Sequence, residues 1–265
     1  MYKDFKISIY RRLLQALQTA GYTFFTFSDW CEGKAAGIDK FILLRHDIDK
    51  SPGNALIIAV VEAELGIHAS YYWLSRKSVF NSEIIQKVAA LGHEIGYHYE
   101  DLTQFNGNYA HAIAHFEKQL TLFRKLYPVK TVSMHGSPLS RFDNRDIWKQ
   151  YDYRSFGIIG EPYIDVFGSS VNIAFSNEIY YLTDTGRMWN GDRFSVRDKV
   201  KFNRIKDYRT TKQLINAIES GILPQKVMIT THPQRWTDSV FDWYTELLIQ
   251  GMKNLIKRVL IIFMK

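Results

Sequence analysis

Residues 42–55 read ILLRHDIDKSPGNA, and their pattern sets the fold class. The apolar run 42–44 is typical of a buried strand, and it stops at a charged cluster that contains Asp47 and Asp49. A helix is predicted from about Pro52 to Leu65, because proline is favoured in the first turn of a helix. A buried strand, a polar loop and a helix in this order form the repeating unit of α/β proteins.

The same alternation continues along the chain. We predict helices over 8–20, 52–65, 81–92, 108–127 and 211–221. We predict strands over 22–30, 40–47, 69–74, 93–98, 131–136, 154–159, 178–182 and 226–233. Strands that alternate with helices imply a mostly parallel sheet or a barrel.

Length and charge restrict the class of protein and partner. A chain of 265 residues suits a single domain. Its net charge of +7 favours anionic partners, but the basic residues are scattered and no nucleic-acid-binding motif is present. We therefore expect no nucleic-acid partner. The 15% of aromatic residues favours a dense core, with a sugar-stacking surface as the alternative.

Cysteine content and apolar runs bear on the compartment. A single cysteine, Cys31, excludes an intramolecular disulfide and fits a reducing environment. The first 17 residues lack the apolar core of a signal peptide, so we expect a cytoplasmic protein. No apolar run approaches the roughly 18 residues that span a bilayer. The tail 258–265, RVLIIFMK, is interpreted as a core-packing element, with peripheral membrane or partner contact as the alternative.

Chemistry in parallel α/β folds lies at the carboxyl ends of the strands. The residues that follow the predicted strands include His46, Asp47, Asp49, His98, His135, Asp184, Arg187 and His232. Asp47 and Asp49 are two apart, so in an extended strand their carboxylates lie on one side and repel each other unless a cation joins them. One carboxylate then binds a metal while the other acts as a base. The alternative is that Asp49 caps the following helix.

The other histidines receive structural interpretations. His111 and His115 are four residues apart on a predicted helix, which is a metal-ligand spacing. They fall opposite its apolar face, however, and we expect them to face solvent. His68 and His93 flank predicted strands, and we expect both to be structural.

Three segments together resemble the polysaccharide deacetylase family, the chitooligosaccharide deacetylase-like metal-dependent hydrolases. They are 81–102 (NSEIIQKVAALGHEIGYHYEDL), 66–74 (GIHASYYWL) and 230–233 (TTHP). The resemblance covers about residues 40–235. It implies a distorted (β/α) barrel of about seven strands, forming one catalytic domain over 1–265. Residues 1–40 would be a helix–strand extension and 236–265 a helical segment.

The resemblance also implies roles for individual residues. Asp47 matches the catalytic base and His232 the catalytic acid, while Asp49 and His98 match metal ligands. The second histidine of the family's metal motif is replaced by Leu102. For the third metal ligand we therefore favour His135, followed by Glu100 and then His46.

The implied activity is removal of an N-acetyl group from an amino sugar, in a glycan or glycan precursor for surface polysaccharide. The cofactor is expected to be a divalent metal, and Zn²⁺ suits a mixed His/Asp ligand set. Asp184, Arg187 and Trp189, in the segment 180–199, are predicted to bind substrate, and Arg187 is a candidate partner for Asp47. The alternatives are a non-catalytic glycan-binding protein with a degenerate metal site, and a hydrolase of another non-peptide C–N bond.

Overall fold

The computed structural model describes residues 3–168, 179–189 and 208–263, with side chains in the last helix described as far as Ile256. The central element is a parallel sheet that curls into an open half barrel. Its strands are β1 (Thr23–Phe25), β2 (Phe41–Ile48), β3 (Ser70–Trp73), β4 (Glu94–Tyr99), β5 (Val132–Met134), β6 (Tyr180–Thr183) and β7 (Lys226–Thr231). The strand order is β5-β4-β3-β2-β7-β6, and β1 pairs with β2.

Helices cover and connect the strands. They are α1 (Ile7–Thr19), α2 (Phe27–Cys31), α3 (Pro52–Glu64), α4 (Ser82–Ala90), α5 (Asp101–Gln104), α6 (Tyr109–Arg124), α7 (Pro162–Asp165), α8 (Thr211–Glu219) and α9 (Val240–Phe263). Short 3₁₀ helices occupy Asn144–Lys149, Tyr153–Phe156 and Pro233–Arg235. The predicted α/β class is confirmed, and the described residues form seven strands, in line with the number that the family resemblance implies.

Strand β2 lies at the centre of the sheet and every one of its residues is buried. Its first half pairs with β1, its second half with β3, and β7 runs along its other edge. A strand with neighbours on both edges and helices outside the sheet reads as a continuous apolar run, as 42–44 does. The charged residues that follow this run therefore emerge in the middle of the carboxyl edge of the sheet.

Two predicted strands were wrong. Within 22–30 only Thr23–Phe25 is a strand, and α2 begins at once. Thr26 and Asp29 form a capping box, in which the Thr26 side chain accepts from the Asp29 backbone and Asp29 accepts from the Thr26 backbone. Within 154–159 the chain forms a 3₁₀ turn, and the sheet is extended there only by an isolated bridge between Thr131 and Gly160.

A buried polar network ties α1, α3, β2 and β3 together around Glu62, which is completely buried. Its Oε1 accepts hydrogen bonds from the Tyr10 hydroxyl and from His46 Nε2, the latter at 2.8 Å. Its Oε2 accepts from the Tyr71 hydroxyl at 2.6 Å. A buried carboxylate is tolerated only when its oxygens are satisfied in this way. His46 is therefore a structural residue, and the interpretation of it as a metal ligand was wrong.

His93 has the structural role that the sequence predicts. Its Nδ1 accepts from the Ala69 backbone at 3.2 Å, and its Nε2 donates to the Ala59 carbonyl at 3.0 Å. Burial lowers the pKa of His93, which favours the neutral ring that this pattern requires.

The final helix is long but only partly packed. Its buried residues include Trp243 and Gln250, whereas Phe241, Leu248 and Met252 are largely exposed. Within the described residues, no helix combines the length and apolar character that crossing a bilayer requires.

Candidate metal centre

Three potential ligands meet at the carboxyl edge of the sheet. Asp49 follows β2, His98 lies near the end of β4, and His135 directly follows β5. Parallel pairing places the carboxyl ends of these strands at one edge of the sheet. Strand β3 lies between β2 and β4 and pairs with both, and His98 of β4 is in register with Ser133 of β5. The arrangement follows from topology, since 86 residues separate Asp49 from His135 along the chain.

The distances within this group fit a metal site. Asp49 Oδ1 lies 3.6 Å from His98 Nε2 and 3.9 Å from His135 Nε2. One ligand atom from each residue can be chosen so that all three lie within 4.8 Å of one another. Asp49 Oδ1 is buried and has no hydrogen-bond partner among the described residues. A buried carboxylate oxygen without a donor is costly, and a cation held between these atoms would remove that cost.

Hydrogen bonds orient both imidazoles toward Asp49. The Nδ1 of His98 donates to the Ser133 carbonyl at 2.9 Å, and the Nδ1 of His135 donates to Glu100 Oε2 at 2.8 Å. Both acceptors lack a proton to donate, so Nδ1 carries the hydrogen and the neutral ring presents the Nε2 lone pair. This is the tautomer that metal-ligating histidines adopt. The donor set of two imidazoles and one carboxylate suits Zn²⁺ and leaves room for a further ligand.

Glu100 holds His135 rather than joining the ligand group. Its carboxylate also accepts a bidentate pair of hydrogen bonds from Arg76. Burial alone would raise the pKa of Glu100, but the hydrogen bonds from His135 and Arg76 outweigh it and lower the value to about 2. Glu100 therefore stays ionised and fixes the His135 ring.

Asp47 is paired with Arg45, two residues earlier on the same strand. The Arg45 guanidinium donates from Nε to Oδ1 at 2.8 Å and from Nη2 to Oδ2 at 2.7 Å. Both side chains are buried, and the Arg45 guanidinium lies over the ring of Tyr163, 4.9 Å from its centre. Burial opposes ionisation, but the Arg45 charge and then His98 hold the pKa of Asp47 well below its usual range. Asp47 Oδ2 lies 3.8 Å from His98 Nε2.

The predicted pairing of Arg187 with Asp47 was wrong. Asp47 takes Arg45 as its partner, and the Arg187 guanidinium lies over the aromatic rings of Phe5 and Trp243 at 5.2 and 5.1 Å. Arg187 is 8% exposed, so most of it is packed under α9 rather than presented to a substrate. Trp189 is also removed from the site: it is 4% exposed, and its indole donates to Thr211 Oγ1 at 3.0 Å.

Asp184 orients His232 and is itself fully buried. The predicted direct contact of Asp184 with a substrate is therefore not supported. Its Oδ1 accepts from His232 Nδ1 at 2.6 Å and its Oδ2 accepts from the His232 backbone at 3.0 Å. Arg235 and the Trp236 indole donate to the same carboxylate. Burial is outweighed by the charges of Arg235 and then His232, which lower the pKa of Asp184 to about 2. The carboxylate holds the ring through Nδ1, so Nε2 of His232 faces Asp49 Oδ2 at 3.8 Å.

These side chains open onto one cavity of about 480 Å³. Asp47, Asp49, His98, His135 and His232 all line it. Residues of the loop 136–140 and of α9 also line the cavity. A cleft of this size, with converging titratable groups, is the usual form of a small-molecule site.

The expectation that His115 faces solvent was wrong, whereas His111 is exposed as predicted. His115 Nδ1 lies 2.6 Å from Asp101 Oδ1, and Asp101 Oδ2 accepts from the Tyr97 hydroxyl at 2.9 Å. This contact docks α6 onto the end of β4. The alternative interpretation of Asp49 as a helix cap is not supported, because Ser51 is the N-cap of α3.

Comparison with known proteins adds a structural likeness only. A Streptococcus mutans CE4 esterase superposes with a TM-score of 0.46 at 14% identity, covering 91% of this chain and 90% of that one. An Escherichia coli diaminopropionate ammonia lyase in its apo form reaches a TM-score of 0.21 at 14% identity, over 95% and 78% of the two chains. No protein-family model and no curated protein matches the sequence. The functional proposal therefore depends on the residues of the site.

Sequence reasoning did not assign the positioning roles of Arg45 and Glu100. Arg45 was detectable in principle, since residues two apart on a strand share a face and Arg45 precedes Asp47 by two. Glu100 was considered as a ligand, and nothing in the sequence indicates that it would instead hold a histidine 35 residues away.

Proposed function

We propose that this protein is a metal-dependent hydrolase that removes the N-acetyl group of an amino sugar in a glycan or glycan precursor. The observation that carries the proposal is the buried Asp49 Oδ1, which has no hydrogen-bond donor among the described residues and faces two imidazole Nε2 atoms. The motif resemblance around His98 and His232 supports an N-acylated sugar as the substrate.

Asp49, His98 and His135 would hold the metal, for which we propose Zn²⁺ because of the mixed nitrogen and oxygen donors. When bound, such an ion polarises an acyl carbonyl and lowers the pKa of water to about 7 in favourable sites. The chain's own contribution is to fix the ligand geometry through Ser133 and Glu100.

Asp47 and His232 supply the acid–base chemistry in this proposal. Asp47 is held ionised by Arg45, so it is in the correct state to accept a proton from the attacking water. His232 is fixed by Asp184 through Nδ1 and directs Nε2 into the cavity. Once protonated on Nε2, it donates that proton to the departing amine. The products are the free amino sugar and acetate.

The alternative of a degenerate, non-catalytic site rests on Leu102, which replaces a histidine of the family motif. Leu102 lies in the core on α5, 1% exposed. His135, which follows a different strand, provides a nitrogen close to Asp49. Because His135 takes the place of the histidine that is missing at position 102, a functional site is favoured over a degenerate one.

The test compares the wild type with Asp49→Ala and with Asp39→Ala, whose side chain is exposed. Metal content is measured by mass spectrometry, and acetate release is measured on acetylated saccharides and on simple amides. We expect about one metal per wild-type and D39A chain, with acetate released from the saccharides, and loss of both in D49A. Hydrolysis of the simple amides but not of the saccharides would indicate that the protein acts on another C–N bond. Absence of metal with retained sugar binding would establish the glycan-binding alternative.

We also propose that α9 contacts a membrane surface peripherally. Its exposed apolar residues Phe241, Leu248 and Met252 recur at spacings that place them on one side of the helix. The sequence continues with the basic residues Lys257 and Arg258, and basic residues close to an apolar segment favour an anionic surface. Co-sedimentation with anionic vesicles should fall in Leu248→Asp and remain unchanged in Ile57→Asp, which alters an exposed residue of α3. Equal sedimentation of all three proteins would contradict the membrane contact.

A further inference from the structure

Four basic side chains line the cavity beside the candidate metal centre. They are Lys50, Arg76, Arg235 and Lys253. Two of the four are neutralised by buried or partly buried acids. Arg76 donates to Glu100, and Arg235 donates to Asp184. Those two arginines therefore serve the positioning of the histidines rather than the binding of a ligand.

Lys50 and Lys253 differ from the arginines because neither has a carboxylate within ion-pair distance among the described residues. Lys50 directly follows Asp49, and Lys253 projects from α9, more than 200 residues later. Both side chains line the same cavity. Burial, and then the charge of Lys50, lower the pKa of Lys253. The Glu246 charge acts on Lys253 in the opposite direction, but Glu246 also faces Arg187.

Two ammonium groups that line the same cavity repel each other and lose hydration. The fold brings them together from opposite ends of the chain, so a ligand with negative charge would gain from both at once. A lysine ammonium is a compact charge with three rotatable donors, and it binds phosphate oxygens well. A phosphate has enough oxygens to accept from both lysines simultaneously.

We propose that Lys50 and Lys253 bind a phosphate or diphosphate group of the substrate beside the site of hydrolysis. This inference rests on the proposed function, because it assigns the anion to the same molecule that carries the acetamido group. The position of Lys50 next to Asp49 in the chain keeps the two groups close. The substrate class is therefore an N-acetylated amino sugar linked through phosphate to a carrier, either a nucleoside or a lipid.

The test measures binding of inorganic pyrophosphate to metal-free protein, so that coordination to a metal cannot contribute. The dissociation constant is determined by calorimetry for the wild type, Lys50→Ala, Lys253→Ala and Lys212→Ala. Lys212 is an exposed lysine of α8 outside the cavity and controls for the loss of one positive charge. Because each substitution removes a charge-assisted hydrogen bond, we expect K50A and K253A to bind pyrophosphate about ten-fold or more weakly than the wild type. The affinity of K212A should be unchanged.

Two further ligands distinguish the sources of the anion. A nucleoside diphosphate that binds more tightly than pyrophosphate indicates a nucleotide carrier, and an alkyl diphosphate that does so indicates a lipid carrier. If the wild type binds none of these anions, or if all four proteins bind pyrophosphate equally, the anion site is refuted. Acetate release is measured in parallel on wild-type holoenzyme, both from a neutral acetylated saccharide and from a nucleoside diphosphate-linked N-acetyl amino sugar. Hydrolysis without anion binding overturns this inference alone, and anion binding without any hydrolysis overturns the proposed function.

Discussion

Replacing Glu62 with glutamine tests the buried network that joins four elements of the fold. Glu62 of α3 accepts hydrogen bonds from Tyr10 of α1, His46 of β2 and Tyr71 of β3. Glutamine has nearly the same shape but keeps only one acceptor oxygen. If its oxygen remains on the side of Tyr10 and His46, its amide group faces the Tyr71 hydroxyl, whose own hydrogen then has no acceptor.

The cost follows from the hydrogen bond that is lost. A hydrogen bond to a charged group contributes about 1.5–3 kcal/mol, and the Tyr71 hydroxyl is left without its acceptor inside the core. We therefore expect Glu62→Gln to lower the free energy of unfolding by about 2–3 kcal/mol at pH 7. Glu64→Gln, two residues later on the same helix, is the matched control. Glu64 is 54% exposed and pairs with Arg11, so its substitution should cost less than about 1 kcal/mol.

The difference between wild type and E62Q should also depend on pH. Burial raises the pKa of Glu62, but His46 and the other partners outweigh it, so the pKa in the folded protein is lowered. A carboxyl group with a lowered folded pKa contributes stability above its unfolded pKa of about 4.3 and loses it as the pH falls further. Glutamine does not titrate, so the gap between the two proteins should narrow below about pH 4.3.

Urea unfolding followed by circular dichroism, at pH 7 and at two values below 4.3, measures both effects. The slope of the transition should be unchanged, which would show that only stability has altered. If E62Q and E64Q were destabilised equally, or if the gap widened in acid, the assignment of Glu62 as the ionised centre of the network would be refuted.

Three further substitutions test the supports of the candidate site. Arg45→Met leaves Asp47 buried without its partner and should cost about 3–5 kcal/mol of unfolding free energy, measured in urea; a cost below 1 kcal/mol would contradict the buried pair. Glu100→Gln loosens His135 and should weaken metal binding about 10- to 100-fold in a chelator competition; unchanged affinity would remove Glu100 from the support of the site. Asp184→Asn replaces the carboxylate that holds the acid histidine with a neutral amide and should slow acetate release by about 100-fold or more, with an unchanged circular dichroism spectrum.

The rule that chemistry lies at the carboxyl ends of parallel strands identified most of the site. It did not assign the contacts within the site. It selected Asp49, His98 and His135, and the structure brings these three together. It also selected Asp184 and Arg187, which occupy the same edge of the sheet but point into buried contacts. Position at a strand end is a property of the local chain, whereas the partner of a side chain depends on elements far away in sequence.

The sequence by itself determined the α/β class and the positions of most strands and helices, because the period of the apolar residues differs between the two kinds of element. It also determined which polar residues reach the carboxyl edge of the sheet. Only the tertiary structure decided that His46 bonds to Glu62 and that Glu100 holds His135. It also brought Lys253 of the last helix to Lys50. These outcomes depend on which long-range neighbours compete for each charge at a buried site, and the linear order of the chain does not record that competition.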